Sequence, residues 1–110
     1  RVLLADDNEI LRSLAATHLR RAGYDVLTAA DGHEATELFR REQARLDLVV
    51  LDARLAGLSG AEAIAVMRRV RPDVKVLFVG EEGEGPADAL DKPYREGNLV
   101  EAVRALLGDA

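Results

Sequence analysis

The sequence predicts an α/β fold, a doubly wound parallel sheet with helices on both faces. Short apolar runs alternate with segments of helical periodicity along the 110-residue chain, and this alternation is typical of such sheets. The run at 48–51, Leu-Val-Val-Leu, is apolar without interruption, as expected of a central parallel strand covered on both sides. We expect one domain, residues 1–110, because a chain of this length builds a single core.

Five strands and four helices are predicted along the chain. We place the strands at 2–5, 24–29, 46–51, 74–79 and 87–91. Residues that suit a helix N-cap precede three helices: Asp7 or Asn8 before the first, Asp31 with Glu34 before the second, and Ser59 with Glu62 before the third. The final helix is predicted from the apolar spacing of residues 99–107.

The inner face of the first helix is predicted from its large apolar side chains. Four of them recur at helical spacing with His18 among them: Ile10, Leu11, Leu14 and Leu19. We therefore expect this face to pack on the sheet. We also expect His18 to be a partly buried structural residue rather than a metal ligand.

The segment between the fourth and fifth strands does not favour a helix. It contains Gly80, Gly83, Gly85 and Pro86, which are poor helix formers. A parallel crossover usually takes a dozen residues or more and contains a helix. We therefore predict that the helix at this crossover is absent or reduced to a turn.

Composition argues against a membrane protein and against nucleic-acid binding by this domain. No apolar run approaches the roughly 20 residues of a membrane-spanning helix, and no signal-peptide pattern opens the chain. The sequence has no cysteine, which excludes disulfides and thiolate metal sites. Its formal net charge is −5, which disfavours direct contact with nucleic-acid phosphates. We expect a cytoplasmic location.

Chemically reactive side chains follow three of the predicted strands. Asp6 and Asp7 follow the first strand, Asp52 follows the third, and Lys92 follows the fifth. We expect them to converge, because ligands of such sheets collect beyond the carboxyl ends of the strands. Three carboxylates would repel one another unless a divalent cation lay between them, and oxygen ligands suit Mg²⁺. A carboxylate beside this metal can attack phosphorus, with Lys92 supplying further positive charge.

Four segments at these positions resemble the signature segments of response-regulator receiver domains of two-component signalling. They are Ala5-Asp6-Asp7-Asn8-Glu9, the second-helix start at 31–35, the segment 52–60, and Lys92-Pro93-Tyr94. The resemblance covers essentially the whole chain. It implies a five-stranded sheet in the flavodoxin-like order 2-1-3-4-5.

The resemblance also implies a role for each site residue. Asp52 would accept a phosphoryl group from a histidine kinase or a histidine phosphotransfer protein. Asp7 and Asp52 would bind Mg²⁺ directly, the backbone carbonyl of Arg54 would be a third ligand, and Asp6 would act through water. Lys92 would contact the phosphoryl group. Such a domain is not an enzyme in the ordinary sense: it promotes only its own phosphorylation and dephosphorylation, and an output domain can accompany it in a longer protein.

Two positions of the family's switch depart from its pattern. Receivers normally carry Ser or Thr at the end of the fourth strand, where this chain has Gly80, and the last Ser or Thr of the sequence is Ser59. The usual aromatic switch residue is replaced by Ala89. We therefore expect competent phosphorylation chemistry with an atypical switch.

Two other functions fit parts of the same pattern. A pseudo-receiver would use the fold for protein binding without phosphorylation. A small Mg²⁺-dependent phosphohydrolase would use the same aspartyl chemistry on an external phosphoester, although the sequence offers no cap domain and no second general acid.

Overall fold

Five parallel strands form the sheet in a computed structural model that describes residues 1–80, 90–91 and 96–108. Their order is β2-β1-β3-β4-β5, which confirms the predicted fold. The strands are β1 Val2–Ala5, β2 Val26–Ala29, β3 Leu48–Asp52, β4 Val76–Gly80 and β5 Leu90–Asp91. The helices of these described ranges are α1 Glu9–Arg21, α2 Gly32–Glu42, α3 Gly60–Val70 and α4 Glu96–Leu107.

The register of the central strands determines which residues meet at the carboxyl edge. In β1, Ala5 pairs with Ala29 of β2 on one side and with Leu51 of β3 on the other. The residues that follow, Asp6 and Asp52, therefore leave the sheet at the same level.

Two hydrophobic layers enclose the sheet. The layer under α2 and α3 includes Leu3, Phe39, Leu51 and Met67, and the layer under α1 and α4 includes Leu4, Leu19, Val50 and Leu99. Successive residues of β3 alternate between the two layers, which explains its uninterrupted apolar sequence. Burial of each large side chain stabilises the fold by about 1.5–3 kcal/mol, so both layers hold the strand ends in place.

Side-chain caps start the first three helices at the carboxyl edge. Asn8, rather than Asp7, caps α1 by accepting from Leu11 N at 3.0 Å. Ser59 and Glu62, which were predicted to mark the start of α3, form a capping box. Before α2, Asp31 is the N-cap, as predicted, and accepts from Glu34 N. The pair resembles a capping box in sequence, but the Glu34 carboxylate accepts from Ala30 N rather than from Asp31 N, so the box is not closed.

The predicted inner face of α1 is wrong at three of its four large apolar positions. Ile10 is 71% exposed, Leu11 38% and Leu14 50%. The residues that α1 buries are Ala15, Ala16 and Leu19. Small side chains let the helix backbone lie close to the sheet, so the alanines take the inner face and the leucines of the first two turns are turned outward. His18 is partly buried, as predicted.

Three predicted strands begin two residues later than expected, and two of them also end one residue later. Strands expected at 24–29, 46–51 and 74–79 are observed as β2, β3 and β4 at the bounds given above. As a result, Asp52 and Gly80 are the last residues of their strands rather than the first residues of loops.

The predicted loss of a helix between β4 and β5 falls on residues 81–89, which lie outside the described residues, as does the start of the predicted fifth strand at 87–89. Across the described ranges, none of the helices has the length and apolar character needed to cross a bilayer.

Candidate functional site at the carboxyl edge of the sheet

Three carboxylates converge where β1 and β3 end. Carboxylate oxygens of Asp6, Asp7 and Asp52 all lie within 4.8 Å of one another. Asp6 and Asp52 are buried, with exposures of 4% and 6%, whereas Asp7 is exposed. The cluster therefore has two buried members and one that faces solvent.

Asp6 is held by hydrogen bonds to its amide, its carbonyl and its side chain. Its backbone N–H donates to Ala29 O of β2 at 3.1 Å. Its Oδ1 accepts from Asn8 N at 2.9 Å, and its carbonyl accepts from Arg12 Nη1 at 3.0 Å. These bonds join β2, the turn after β1 and helix α1, so the turn that carries Asp6 and Asp7 has a defined conformation.

Asp52 is fixed by its strand and by the loop that follows it. Arg54 N donates to Asp52 Oδ1 at 3.0 Å, and Ala53 N donates to Val79 O of β4 at 2.8 Å. The first residue of α3 packs directly behind: a Cβ added to Gly60 would lie 2.7 Å from Asp52 O. Only glycine allows helix α3 to start this close to the strand end.

A second glycine locks the loop after Asp52 against α2. Gly32 N donates to Ala56 O at 3.2 Å. A Cβ on Gly32 would come within 2.2 Å of Leu58 O. The loop 53–58 is thus fixed at both ends, by β4 and by the first residue of α2.

The charge of the cluster favours a bound cation. Two carboxylates whose oxygens lie within 4.8 Å of each other repel by about 3 kcal/mol or more at an effective dielectric constant of about 20. Mg²⁺ prefers oxygen ligands at about 2.1 Å, and neighbouring ligands in its octahedral shell lie about 3 Å apart. The donor type and the close spacing of these carboxylates fit such an ion.

Of the other predicted site residues, the structure describes Arg54 and Gly80 but not Lys92 and Ala89. Arg54 lies in the loop after Asp52, with an exposed side chain. Gly80 is buried, ends β4, and pairs with Asp91 of β5. Lys92 and Ala89 lie outside the described residues. No role was predicted for Arg12, nor for Gly32 and Gly60, although both glycines lie in the segments 31–35 and 52–60 that resemble the family's signatures. Glycine at the first position of two helices is a further signal that points to these two residues.

The chain is similar in sequence to proteins of one known family. The family model described as "Response regulator receiver domain" matches residues 2–104. The chain is 32% identical over 117 residues to the alkaline phosphatase synthesis transcriptional regulatory protein PhoP of Bacillus subtilis, covering 97% of this chain and 48% of that protein. It is 32% identical over 116 residues to the sensor kinase CckA of Brucella abortus, covering 96% of this chain and 12% of that protein. The chain thus spans about half of the first relative and about an eighth of the second.

Solved structures agree with this family. A receiver domain from the hybrid histidine kinase CckA superposes with a TM-score of 0.87 at 31% identity, covering 97% of this chain and 98% of that one. The chemotaxis protein CheY4 of Vibrio cholerae gives a TM-score of 0.84 at 29% identity, covering 96% of this chain and 97% of the other.

Proposed function

The chain belongs to the response regulator receiver domain family, and from this premise we propose that it accepts a phosphoryl group on Asp52. The donor would be a histidine kinase or a histidine phosphotransfer protein, in the cytoplasm. An output domain in the full-length protein would read the result, and the domain itself would contact neither nucleic acid nor membrane.

The observation that carries this proposal is the convergence of three carboxylates within 4.8 Å at the ends of β1 and β3. Of the three, Asp52 is the one held in a strand, buried, and bonded by the following loop. A nucleophile needs a fixed position relative to the incoming phosphorus, since correct orientation lowers the barrier of a bimolecular step. Asp52 meets that requirement best.

The proposed reaction is a displacement at phosphorus. A carboxylate oxygen of Asp52 forms a bond to the phosphorus as the phosphorus–nitrogen bond of a phosphohistidine breaks. The leaving imidazole nitrogen keeps the electron pair and takes up a proton, which leaves an acyl phosphate on Asp52.

The metal site is assigned to the same cluster. Asp7 and Asp52 would hold Mg²⁺ directly, with the carbonyl of Arg54 as a third ligand and Asp6 acting through water. Bound Mg²⁺ would neutralise charge on the phosphoryl oxygens. Lys92 would add a second positive charge toward those oxygens.

We further propose that the readout of phosphorylation is atypical. The last residue of β4 is Gly80, so this position has no hydroxyl to follow a phosphoryl group, and Ala89 offers no aromatic ring. Any conformational response would have to run through other elements, such as the loop 53–58 that is bonded to α2.

Intact mass spectrometry after incubation with Mg²⁺ and acetyl phosphate tests the proposal. The expected product carries a single phosphate that is labile in base and does not form in Asp52→Asn. If the wild type gains no phosphate, and a beryllofluoride titration with Mg²⁺ detects no binding, the phosphoacceptor assignment is wrong.

That negative result would favour a second candidate, a pseudo-receiver that binds a protein partner without phosphorylation. Gly80 is the specific observation that favours it, because a domain without phosphate readout has no need of a hydroxyl at the end of β4.

A further inference from the structure

The side chain of Arg12 connects helix α1 to the peptide that joins Asp6 and Asp7. Its Nη1 donates to Asp6 O at 3.0 Å in a partly buried position. We propose that Arg12 is a positioning residue for the metal site, one that fixes the direction of the Asp7 carboxylate without touching the ion. This inference rests on the proposed function, since it concerns the same cation.

The backbone geometry explains why a carbonyl contact can orient a neighbouring side chain. The carbonyl of Asp6 and the N–H of Asp7 belong to one rigid peptide plane. A guanidinium that holds the carbonyl therefore limits the rotation of that plane and the direction in which the Asp7 side chain leaves the backbone. A hydrogen bond with an ionised donor is among the stronger ones in proteins.

Asp7 depends on this support more than Asp6 and Asp52 do. The Asp6 carboxylate accepts from Asn8 N, and the Asp52 carboxylate accepts from Arg54 N. By contrast, the Asp7 side chain makes no hydrogen bond or ion pair to another residue within the described ranges 1–80, 90–91 and 96–108. The contact of Arg12 with the Asp6 carbonyl therefore acts on the peptide plane from which the Asp7 side chain leaves the backbone.

The same helix supplies a matched control. Arg20 Nη2 donates to Val26 O at 3.0 Å, also from a partly buried position and also across six residues of sequence. Val26 is the first residue of β2, so this contact lies at the opposite edge of the sheet from the carboxylates. Loss of Arg20 removes an equivalent bond without altering the site.

The loss of the Arg12 charge and the loss of its hydrogen bond are expected to change Mg²⁺ affinity in opposite directions. Removal of a positive charge near three carboxylates would, by electrostatics alone, favour Mg²⁺ binding. Removal of a positioning contact weakens it, because loss of outer-shell partners typically lowers metal affinity by about 10- to 100-fold. The sign of the change in Mg²⁺ affinity therefore distinguishes the two roles.

Isothermal titration of the full chain with Mg²⁺ tests the inference, using wild type, Arg12→Gln and Arg20→Gln. We expect Arg12→Gln to bind Mg²⁺ about tenfold more weakly, and Arg20→Gln to bind as the wild type does. Thermal unfolding of both variants without metal measures the structural cost of each lost bond, which should be similar. Arg12→Lys keeps the charge but not the fork of donors. It should also weaken binding, and it serves as the test if Arg12→Gln does not fold.

An unchanged or tighter affinity in Arg12→Gln, or an equal loss in Arg20→Gln, would overturn the positioning role. Because the titration contains no phosphodonor, its result is independent of whether Asp52 becomes phosphorylated. A wild type that binds Mg²⁺ but takes no phosphate contradicts the proposed function alone.

Discussion

The ends of β3 and β4 are neighbours in the sheet, where Asp52 pairs with Val79, but their surroundings differ. Asp52 is surrounded by backbone groups that fix it: Arg54 N on its carboxylate, the Val79 carbonyl on the next amide, and Gly60 against its own carbonyl. The end of β4 offers Gly80, which has no side chain. The strand end proposed to accept the phosphoryl group is therefore held by backbone groups of three segments, whereas the strand end proposed to respond to it has no side chain.

The largest expected effect is on phosphate transfer at the end of β3. Asp52→Asn should abolish phosphorylation, because an amide oxygen is a far weaker nucleophile than a carboxylate oxygen. The same substitution should raise the free energy of unfolding in metal-free buffer by about 1–3 kcal/mol, since it removes one of three mutually repelling charges. Urea unfolding with a chelator present measures this gain. Equal stability of the two proteins would mean that the repulsion inferred from carboxylate oxygens within 4.8 Å of one another is already screened.

A smaller but clear effect is expected from Gly60→Ala. The added methyl would lie 2.7 Å from Asp52 O and 3.0 Å from Ala53 Cα, so backbone atoms must move. We expect a loss of about 1–3 kcal/mol in the free energy of unfolding and slower phosphorylation by acetyl phosphate. Urea unfolding and the labelling rate check the two parts. Normal labelling in a destabilised variant would show that the start of α3 supports the fold but not the position of Asp52.

Gly80→Thr tests whether the missing hydroxyl at the end of β4 limits the response of that strand to a bound phosphoryl group. Beryllofluoride with Mg²⁺ should shift the amide resonances after β1 and β3 in wild type and leave those of β4 nearly unchanged. In Gly80→Thr the changes in amide resonances should extend into β4, because a hydroxyl is then present at the end of this strand. Strong shifts throughout β4 in the wild type would contradict the proposed atypical readout. The threonine should cost about 1 kcal/mol of stability, because it brings a hydroxyl into a buried position.

The smallest effect is expected from Gly97→Ala, which serves as a control for Gly60→Ala. A Cβ on Gly97 of α4 would meet nothing within 4 Å, so Gly97→Ala should stabilise the protein by up to about 1 kcal/mol through helix propensity and lower unfolded-state entropy. It should leave phosphorylation unchanged. If Gly97→Ala destabilised the domain as much as Gly60→Ala does, steric contact with Asp52 would not explain the Gly60 result.

Sequence patterns predicted most of the fold because strands, helix starts and strand ends depend on residues that are close together in the chain. The uninterrupted run in β3, the N-caps Asn8, Asp31 and Ser59, and the acidic residues after two strands each have a local signature. Their convergence follows from parallel strands alone, since such strands end at one edge.

The predictions failed or were missing where contacts between distant parts of the chain decide which residues are buried. Ala15 and Ala16 occupy the inner face of α1 although Leu11 and Leu14 are more hydrophobic, because a helix can lie closer to the sheet on small residues. Gly60 and the contact of Arg12 with the Asp6 carbonyl depend on distances between elements. No spacing in a single sequence encodes such distances.

The pairing of β1 with β3 brings together carboxylates that are 46 positions apart in the chain, at Asp6 and Asp52. An unfolded chain has no such pocket, so magnesium would bind the folded form selectively and lower its free energy by mass action. The divalent ion concentration would then govern how often the domain opens and how fast proteases remove it. The lifetime of the protein and its readiness to receive a phosphoryl group would rise and fall together.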